Sequence, residues 1–239
     1  MAYPGDTALS ESRLRMRDAF LNAAVADLLA HDARLSDLPV LVEFDRGVAH
    51  LTGDAPDTAT LALLRQLIGR LDGVLAVWDR VRIDGRAPII VDLGCGDNLQ
   101  YPDNIGIDRR PTKSSSIVAD LERGLPLEDE SVDRIFTVHV LEHLVDYLPL
   151  LDECHRVLRP GGVLHVLAPW WRHVNAVADP THVRLFDVQT IKGICAEPSS
   201  ERRWYPLHVG CDGATVFADL ALQPDGFEPD PAELARFFD

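Results

Sequence analysis

The chain has no run of Lys/Arg anywhere along its 239 residues, and its formal net charge is -15 at pH 7. The first 85 residues carry 13 acidic against 9 basic side chains and the remainder 25 against 14, so both parts are acidic. Such a surface repels phosphate backbones and anionic lipid headgroups, which disfavours nucleic acid as a bulk electrostatic partner. Cysteine is scarce. Cys95, Cys154, Cys195 and Cys211 form no C-x-x-C pair, so their spacing offers neither a zinc site nor a disulfide framework. A reducing, cytoplasmic setting is expected. Met1 to Phe20 is charged throughout and lacks an apolar core segment, so no signal peptide is expected. No stretch approaches the length of a membrane span, and there is no internal repeat or low-complexity segment. What is present is a 46% hydrophobic chain, enough to build one large core or two small ones.

Two patterns follow one another along it. Residues 8–31 have helical spacing, with Ser10 as a cap and Phe20, Ala23, Ala24, Ala26 and Leu28 on an apolar face. Strands are expected at 38–44 and at Val48 to Leu51, around an Asp45-Arg46-Gly47 turn. Residues 58–71 read as a helix with Leu61, Leu64, Leu67, Ile68 and Leu71 inward, and 74–83 as a third strand. This αββαβ order, with Gly47, Leu51-Thr52-Gly53 and Gly73-Val74 at its turns and stops, resembles the BON domain over roughly residues 10–84. The resemblance implies lipid, small-ligand or protein contact. Each of those glycines is equally suited to plain hairpin geometry.

Asp84 to Pro88 is a polar linker, so the expected domains are 8–84 and 87–239. Beyond the linker, short apolar runs at Ile89 to Leu93, Ile105 to Ile107, Ile117 to Ala119, Val132 to Val138 and Val163 to Ala168 read as buried parallel strands. A helix is expected over about 140–158, and Leu158 to Gly162 as a sharp turn. Residues 203–222 read as a hairpin around Cys211-Asp212-Gly213. The fold class is therefore α/β, a doubly wound, mostly parallel sheet.

The chemistry begins at Val91-Asp92-Leu93-Gly94-Cys95-Gly96, where a strand ends and the chain turns on two glycines. Ligands of this fold bind beyond the carboxyl ends of the strands. A dinucleotide site calls for a third glycine three residues later, but Leu99 stands there, which weakens the NAD reading. Asp108 ends the second strand, where a carboxylate can accept from both ribose hydroxyls. It lies only 12 residues past Gly96, so Asn98 to Asn104 has room for little or no helix. Asp120-Leu121 follows the third strand, where Asp120 can take an adenine amino group or simply cap a turn.

With LPLEDESVDRIFTVHVLEHL and RVLRPGGVLHV following, this ordered set resembles the class I S-adenosylmethionine-dependent methyltransferases of the small-molecule type, over about residues 87–170. The resemblance implies S-adenosyl-L-methionine as cofactor. By position, Asp92, Gly94, Cys95 and Gly96 would line its methionine part. Asp108 would hold the ribose, Asp120 and Leu121 would flank the adenine, and His139 would lie near the sulfonium. His139-Val140-Leu141-Glu142-His143 also matches the zinc-protease pattern H-x-x-E-H. It is set aside because His139 ends a strand, so no metal is expected, and Glu142 and His143 then brace or cap the helix.

His173, Asp179 and His182 follow the fifth strand, where similar methyltransferases place a loop over the acceptor. They are the candidate catalytic residues. His182 either accepts the acceptor's proton or is a loop histidine held by backbone. Trp170 and Trp171 serve as an aromatic wall or as core packing. No Asn/Asp-Pro-Pro-aromatic motif and no Pro-Cys nucleophile is present, which argues against nucleic-acid bases as acceptors. The expected reaction is methyl transfer to a small molecule. A non-catalytic scaffold with a degenerate methyltransferase fold, or an aminopropyltransferase on the same fold, are the alternatives.

Overall fold

The computed structural model describes residues 10–196, 203–223 and 227–238. Residues 8–9 of the first expected helix, and Asp239 at the end of the second expected domain, lie outside them. The chain divides into two compact units, residues 1–88 and 89–239.

The first unit runs α1 (Glu11–His31), β1 (Val40–Asp45), β2 (Val48–Ala55), α2 (Thr58–Gly69), β3 (Ala76–Asp79) and the short β4 (Arg82–Ile83). β1 pairs antiparallel with β2, and β3 and β4 both pair parallel with it. The β1–β2 turn holds Arg46 and Gly47 at φ 50° and 83°, the twist-matched geometry of a two-residue hairpin. The Asp18 carboxylate of α1 accepts both turn amides at 2.8 Å, tying helix to hairpin. The buried stripe of α1 is Leu21 and Val25, whereas Phe20 is exposed. Of the expected face, Ala24 and Leu28 flank that stripe and are half-buried, while Phe20, Ala23 and Ala26 turn outward. Leu21 and Val25 stand four apart, the spacing that stacks two side chains on one core face. Gly53 does not stop the second strand, which continues to Ala55. A Cβ there would sit 2.1 Å from the Pro39 carbonyl oxygen, so glycine allows a close strand approach.

The second unit contains β5 (Ile90–Leu93), β6 (Ile105–Asp108), β7 (Ser115–Val118), β8 (Val132–Val138), α3 (Leu148–Val157), β9 (Leu158–Pro169), α4 (Val174–Ala178), α5 (Val188–Cys195), β10 (Trp204–Cys211), β11 (Thr215–Leu222) and α6 (Pro231–Ala235). Seven strands form one mixed sheet in the order β10-β11-β9-β8-β5-β6-β7. β7, β6, β5, β8 and β9 are mutually parallel, and β11 runs antiparallel between β9 and β10. The strand order reverses at β5, which has β6 on one side and β8 on the other. Ligand crevices open there, outside the carboxyl ends of the strands.

Val91, Leu93, Ile135, Leu164, Val166, Val216 and Leu220 build one face of the sheet into a core with Leu151, Cys154 and Val157 of α3 and Ile191 of α5. Truncating a fully buried leucine here, such as Leu164, should cost about 2–5 kcal/mol. The alternate residues also carry buried polar groups. His165 Nδ1 and Asp219 Oδ1 meet at 2.7 Å across β9 and β11, and Phe136 stacks on the His165 ring at 4.5 Å.

Two expectations about this unit need correcting. The helix expected over 140–158 is only α3, preceded by one 3-10 turn at Leu141–His143. Pro149 sits in the first turn of α3, where its missing N–H leaves no bond unmade, and it cannot continue a helix begun upstream. Leu158 to Gly162 is not a free turn but part of β9. Leu158 pairs with Val132 and Val163 with Arg134, so residues 159–162 bulge out of the ladder.

Candidate functional site

The chain leaves β5 at Leu93 and reverses on Gly94 and Gly96, at φ 61° and 52°. Gly94 is glycine for space as well as conformation, since a Cβ would come within 2.6 Å of Val140. Every amide of this bend is turned to β6. Gly94 N–H and Cys95 N–H donate to the Ile107 carbonyl at 2.7 and 3.3 Å. Gly96 N–H donates to Asp108 Oδ2 at 3.0 Å. The second Asp108 oxygen accepts from Arg110 N–H, also at 3.0 Å.

The link from bend to β6 holds no helix, as the short spacing predicts. It is organised by Asp92, whose carboxylate accepts from Gln100 N–H at 2.5 Å and Asn104 Nδ2 at 2.8 Å. Burial pushes the Asp92 carboxyl up from its ordinary value, and those two donors oppose the shift. With bend amides committed and no helix N-terminus behind them, the bend presents no anion-binding nest. The Gly94, Cys95 and Gly96 amides are therefore not free to cradle a pyrophosphate.

A cavity of ≈ 240 Å³ opens on this bend, lined by Asp92, Leu93, Gly94, Cys95, Asn98, Leu99, Gln100, Phe136 and Val138. Three of the expected cofactor residues, Asp92, Gly94 and Cys95, thus share one wall. No motif pointed to Asn98, Gln100, Phe136 or Val138. Phe136 and Val138 were detectable only as alternate residues at the carboxyl end of the strand beside β5. Asp108 faces the bend without lining the cavity. Asp120 and Leu121 follow β7, on the far side of β6 from β5. Asp120 Oδ1 accepts Glu122 N–H at 3.2 Å and caps the 3-10 turn Leu121–Arg123, while Leu121 is 8% exposed and belongs to the core.

Beyond β8 and β9 lies a second group of polar residues. His139, at φ 55°, follows β8 directly and places Nδ1 3.2 Å from Glu142 Oε1. His173 caps α4, its ring Nδ1 accepting Asn175 N–H at 3.3 Å. Asp179 Oδ1 accepts from the Thr181 amide at 2.8 Å and hydroxyl at 2.6 Å. The Thr181 hydroxyl, then its amide, hold the Asp179 carboxyl below the usual carboxylate range. His182 donates from Nδ1 to the Ala176 carbonyl at 3.2 Å, and its Nε2 stands 3.9 Å from Asp179 Oδ2. His182 and Asp179 are therefore brought together, and His173 is occupied as a cap. Trp170 packs against the core, while Trp171 is exposed and carries the Arg172 guanidinium 4.8 Å from its ring centroid. Val145, Val174, Val177, Val183 and Leu185 are also exposed in these loops.

Residues 91–166 match the family model described as a methyltransferase domain. That stretch lies in the second unit and runs from β5 into β9. A probable S-adenosylmethionine-dependent methyltransferase of Mycolicibacterium smegmatis is 53% identical over 45 residues, 19% of this chain and 18% of that protein. A malonyl-[acyl-carrier protein] O-methyltransferase of Coxiella burnetii is 43% identical over 51 residues, 21% of this chain and 18% of that protein. The matched stretches thus span under a fifth of these relatives. Among solved structures, a putative type 11 methyltransferase from Sulfolobus solfataricus is 15% identical and has a TM-score of 0.45, covering 61% of this chain and 90% of that one. The bend fits the cofactor of the methyltransferase domain. A Cβ on Gly96 would meet nothing within 4 Å, so the backbone there is open to a close-lying ligand.

Proposed function

We propose that this protein transfers a methyl group from S-adenosylmethionine to a small-molecule acceptor. The observation that carries the reading is the bend itself. Gly94 and Cys95 open onto a cavity while their amides lock to the Ile107 carbonyl and the Gly96 amide to the Asp108 carboxylate. That arrangement suits a nucleoside with an uncharged ribose edge and an amino-acid arm, and offers nothing to a phosphate chain.

S-adenosylmethionine brings a methyl group already activated by its sulfonium, so the protein's task is orientation and exclusion of water. Asp92, Gly94, Cys95 and Gly96 are assigned to the methionine arm, with the Phe136 and Val138 side chains as its apolar floor. Asp108 is assigned to the ribose hydroxyls. His139 lies at the edge toward the acceptor. His182, with Asp179 beside it, is the group best placed to hold a proton leaving the acceptor. The exposed valines and leucine of the surrounding loops favour an acceptor with an apolar body.

The first unit is assigned a BON-like role in ligand or protein contact. Its αββαβ order and the positive φ of Gly47, Gly53 and Gly73 support this. The four free cysteines support a cytoplasmic location, and the charge of -15 argues against nucleic acid as partner.

The test is thermal unfolding with S-adenosylmethionine, S-adenosylhomocysteine or NAD. Ligand at about 100 times its Kd adds roughly 2.7 kcal/mol to stability. The first two should raise the melting temperature and NAD should not. A shift with NAD alone overturns the assignment.

A further inference from the structure

We propose that Glu142, His143 and His182 form a binding site for one divalent transition-metal ion of the zinc class. One carboxylate oxygen and one nitrogen from each ring lie within 4.8 Å of one another. The H-x-x-E-H protease geometry is not what assembles them. His139 follows β8 in a left-handed conformation at φ 55° and Leu141–His143 is a single 3-10 turn, so His139 and His143 do not share a helix face. His182, from the loop after α4, takes the place the pattern would have given His139.

The protonation of the group follows from its neighbours. His182 Nδ1 faces the Ala176 carbonyl at 3.2 Å. A carbonyl only accepts, so Nδ1 carries the proton and Nε2 keeps its lone pair. His143 Nδ1 lies 3.0 Å from the Thr181 hydroxyl and 3.3 Å from the Thr181 carbonyl. The hydroxyl proton is already given to Asp179 at 2.6 Å. Both Thr181 oxygens therefore accept, His143 Nδ1 is the donor, and Nε2 again is left as a lone pair.

Glu142 is 1% exposed. Its Oε1 takes the His139 contact at 3.2 Å, whereas Oε2 is buried and has no hydrogen-bond partner. One Glu142 oxygen and one nitrogen of each ring thus converge, and in these neutral tautomers each ring keeps a lone pair on Nε2. A buried carboxylate oxygen in that position is costly unless a cation meets it.

The outer contacts match those that orient metal-ligating histidines, each ring giving its far N–H to a carbonyl or to a hydroxyl backed by a carboxylate. Two imidazoles with one carboxylate select zinc, cobalt or nickel over magnesium or calcium. Three protein ligands also leave a fourth position open to water or an acceptor heteroatom, and because a bound ion occupies His182 Nε2, the proton-holding role of His182 belongs to the metal-free chain.

The site is tested on the full chain after treatment with chelator. Equilibrium dialysis against Zn²⁺ or Mg²⁺ alone should give one tightly held zinc per chain and no magnesium. Co²⁺ should show the visible absorption of a tetrahedral site. Glu142→Gln, His143→Ala and His182→Gln should each weaken zinc binding roughly tenfold or more, while His31→Ala, 76% exposed on its side chain, should not.

Because Glu142 is buried, the solvent-exposed His143→Ala variant, with an unchanged far-UV spectrum, decides the case if Glu142→Gln fails to fold. Zinc held below stoichiometry, or held equally by the His143 and His182 variants, overturns the proposal. That result would leave a proton on His182 as the charge that meets Glu142. Zinc binding and the cofactor-dependent melting shift are separate readouts, so either can fail alone.

Discussion

Asp108 Oδ2 accepts the backbone N–H of Gly96 across the bend at 3.0 Å. One carboxylate at the end of β6 therefore both shapes the glycine turn and faces the edge where a ribose would lie. Asp108→Asn keeps an oxygen for Gly96 but loses the charge. A hydrogen bond to a charged group contributes about 1.5–3 kcal/mol, so S-adenosylhomocysteine should bind the variant roughly 10–100-fold more weakly by calorimetry, and the ligand-free melt should fall because the Arg110 N–H loses its acceptor. Asp108→Ala should lose both the affinity and some ligand-free stability. An Asn variant that binds as tightly as the parent would remove Asp108 from the site.

The two bend glycines should differ when replaced. Gly96→Ala meets only the backbone penalty of φ 52°, with nothing within 4 Å of the new methyl, at about 1–2 kcal/mol. Gly94→Ala adds a Cβ 2.6 Å from Val140 on top of a similar φ, and overpacking costs a further 1–3 kcal/mol or so. Urea unfolding should rank Gly94→Ala as the less stable. Val140→Ala in that background should recover part of the steric loss and none of the φ penalty. Equal destabilisation at both positions would contradict the packing described.

Asp92 gives a pH signature. Burial raises its carboxyl above the ordinary value, so the folded chain holds that proton more tightly than the unfolded one. Its contribution to stability is fully present below the unfolded pKa and is lost as pH rises through the folded one. Asp92→Asn removes the titration at the cost of a weaker acceptor for Gln100 and Asn104, a cost that does not vary with pH. As pH rises from about 4 to about 7, the stability difference should move toward the variant. A flat difference would show that the carboxylate is not destabilised by its burial.

Thiol labelling should report occupancy of the cavity. Burial drives the Cys154 thiol far above its ordinary range and pushes Cys195 up to about 12. Only thiolates alkylate readily, so both should resist iodoacetamide in the folded protein. Cys95 lines the cavity and is partly exposed. S-adenosylhomocysteine at 100 times its Kd should slow Cys95 labelling up to about 100-fold and leave Cys211 unchanged. Equal Cys95 rates with and without ligand would place the ligand elsewhere.

The parallel strands of the second unit were legible because strands covered on both faces are rich in apolar and β-branched residues, as Ile89 to Val91, Ile135 to Val138 and Val163 to Ala168 are. The bend was legible because its conformations need glycine, at Gly94 and Gly96. The missing first crossover helix was legible from chain length alone, since the residues between Gly96 and Asp108 are too few to return through a helix. The face of α1 was not, because apolar residues surround that helix and the side that packs is set by its partner strands. For the same reason Asp120 could be placed after its strand but not given its task, which depends on where the Glu122 amide points.

The sequence by itself determined the strand pattern, the glycine bend and the acidic residue beyond it, because each rests on backbone conformation or on short-range spacing. Only the tertiary structure decided that the bend amides belong to β6, and that Phe136 and Val138 share a cavity wall with Asp92. It also decided that His143 meets His182 while Glu142 stands beside both of them and His139. Those are encounters between segments 39 or more residues apart in the case of His182, and no local rule of spacing specifies which side chains meet across such a loop.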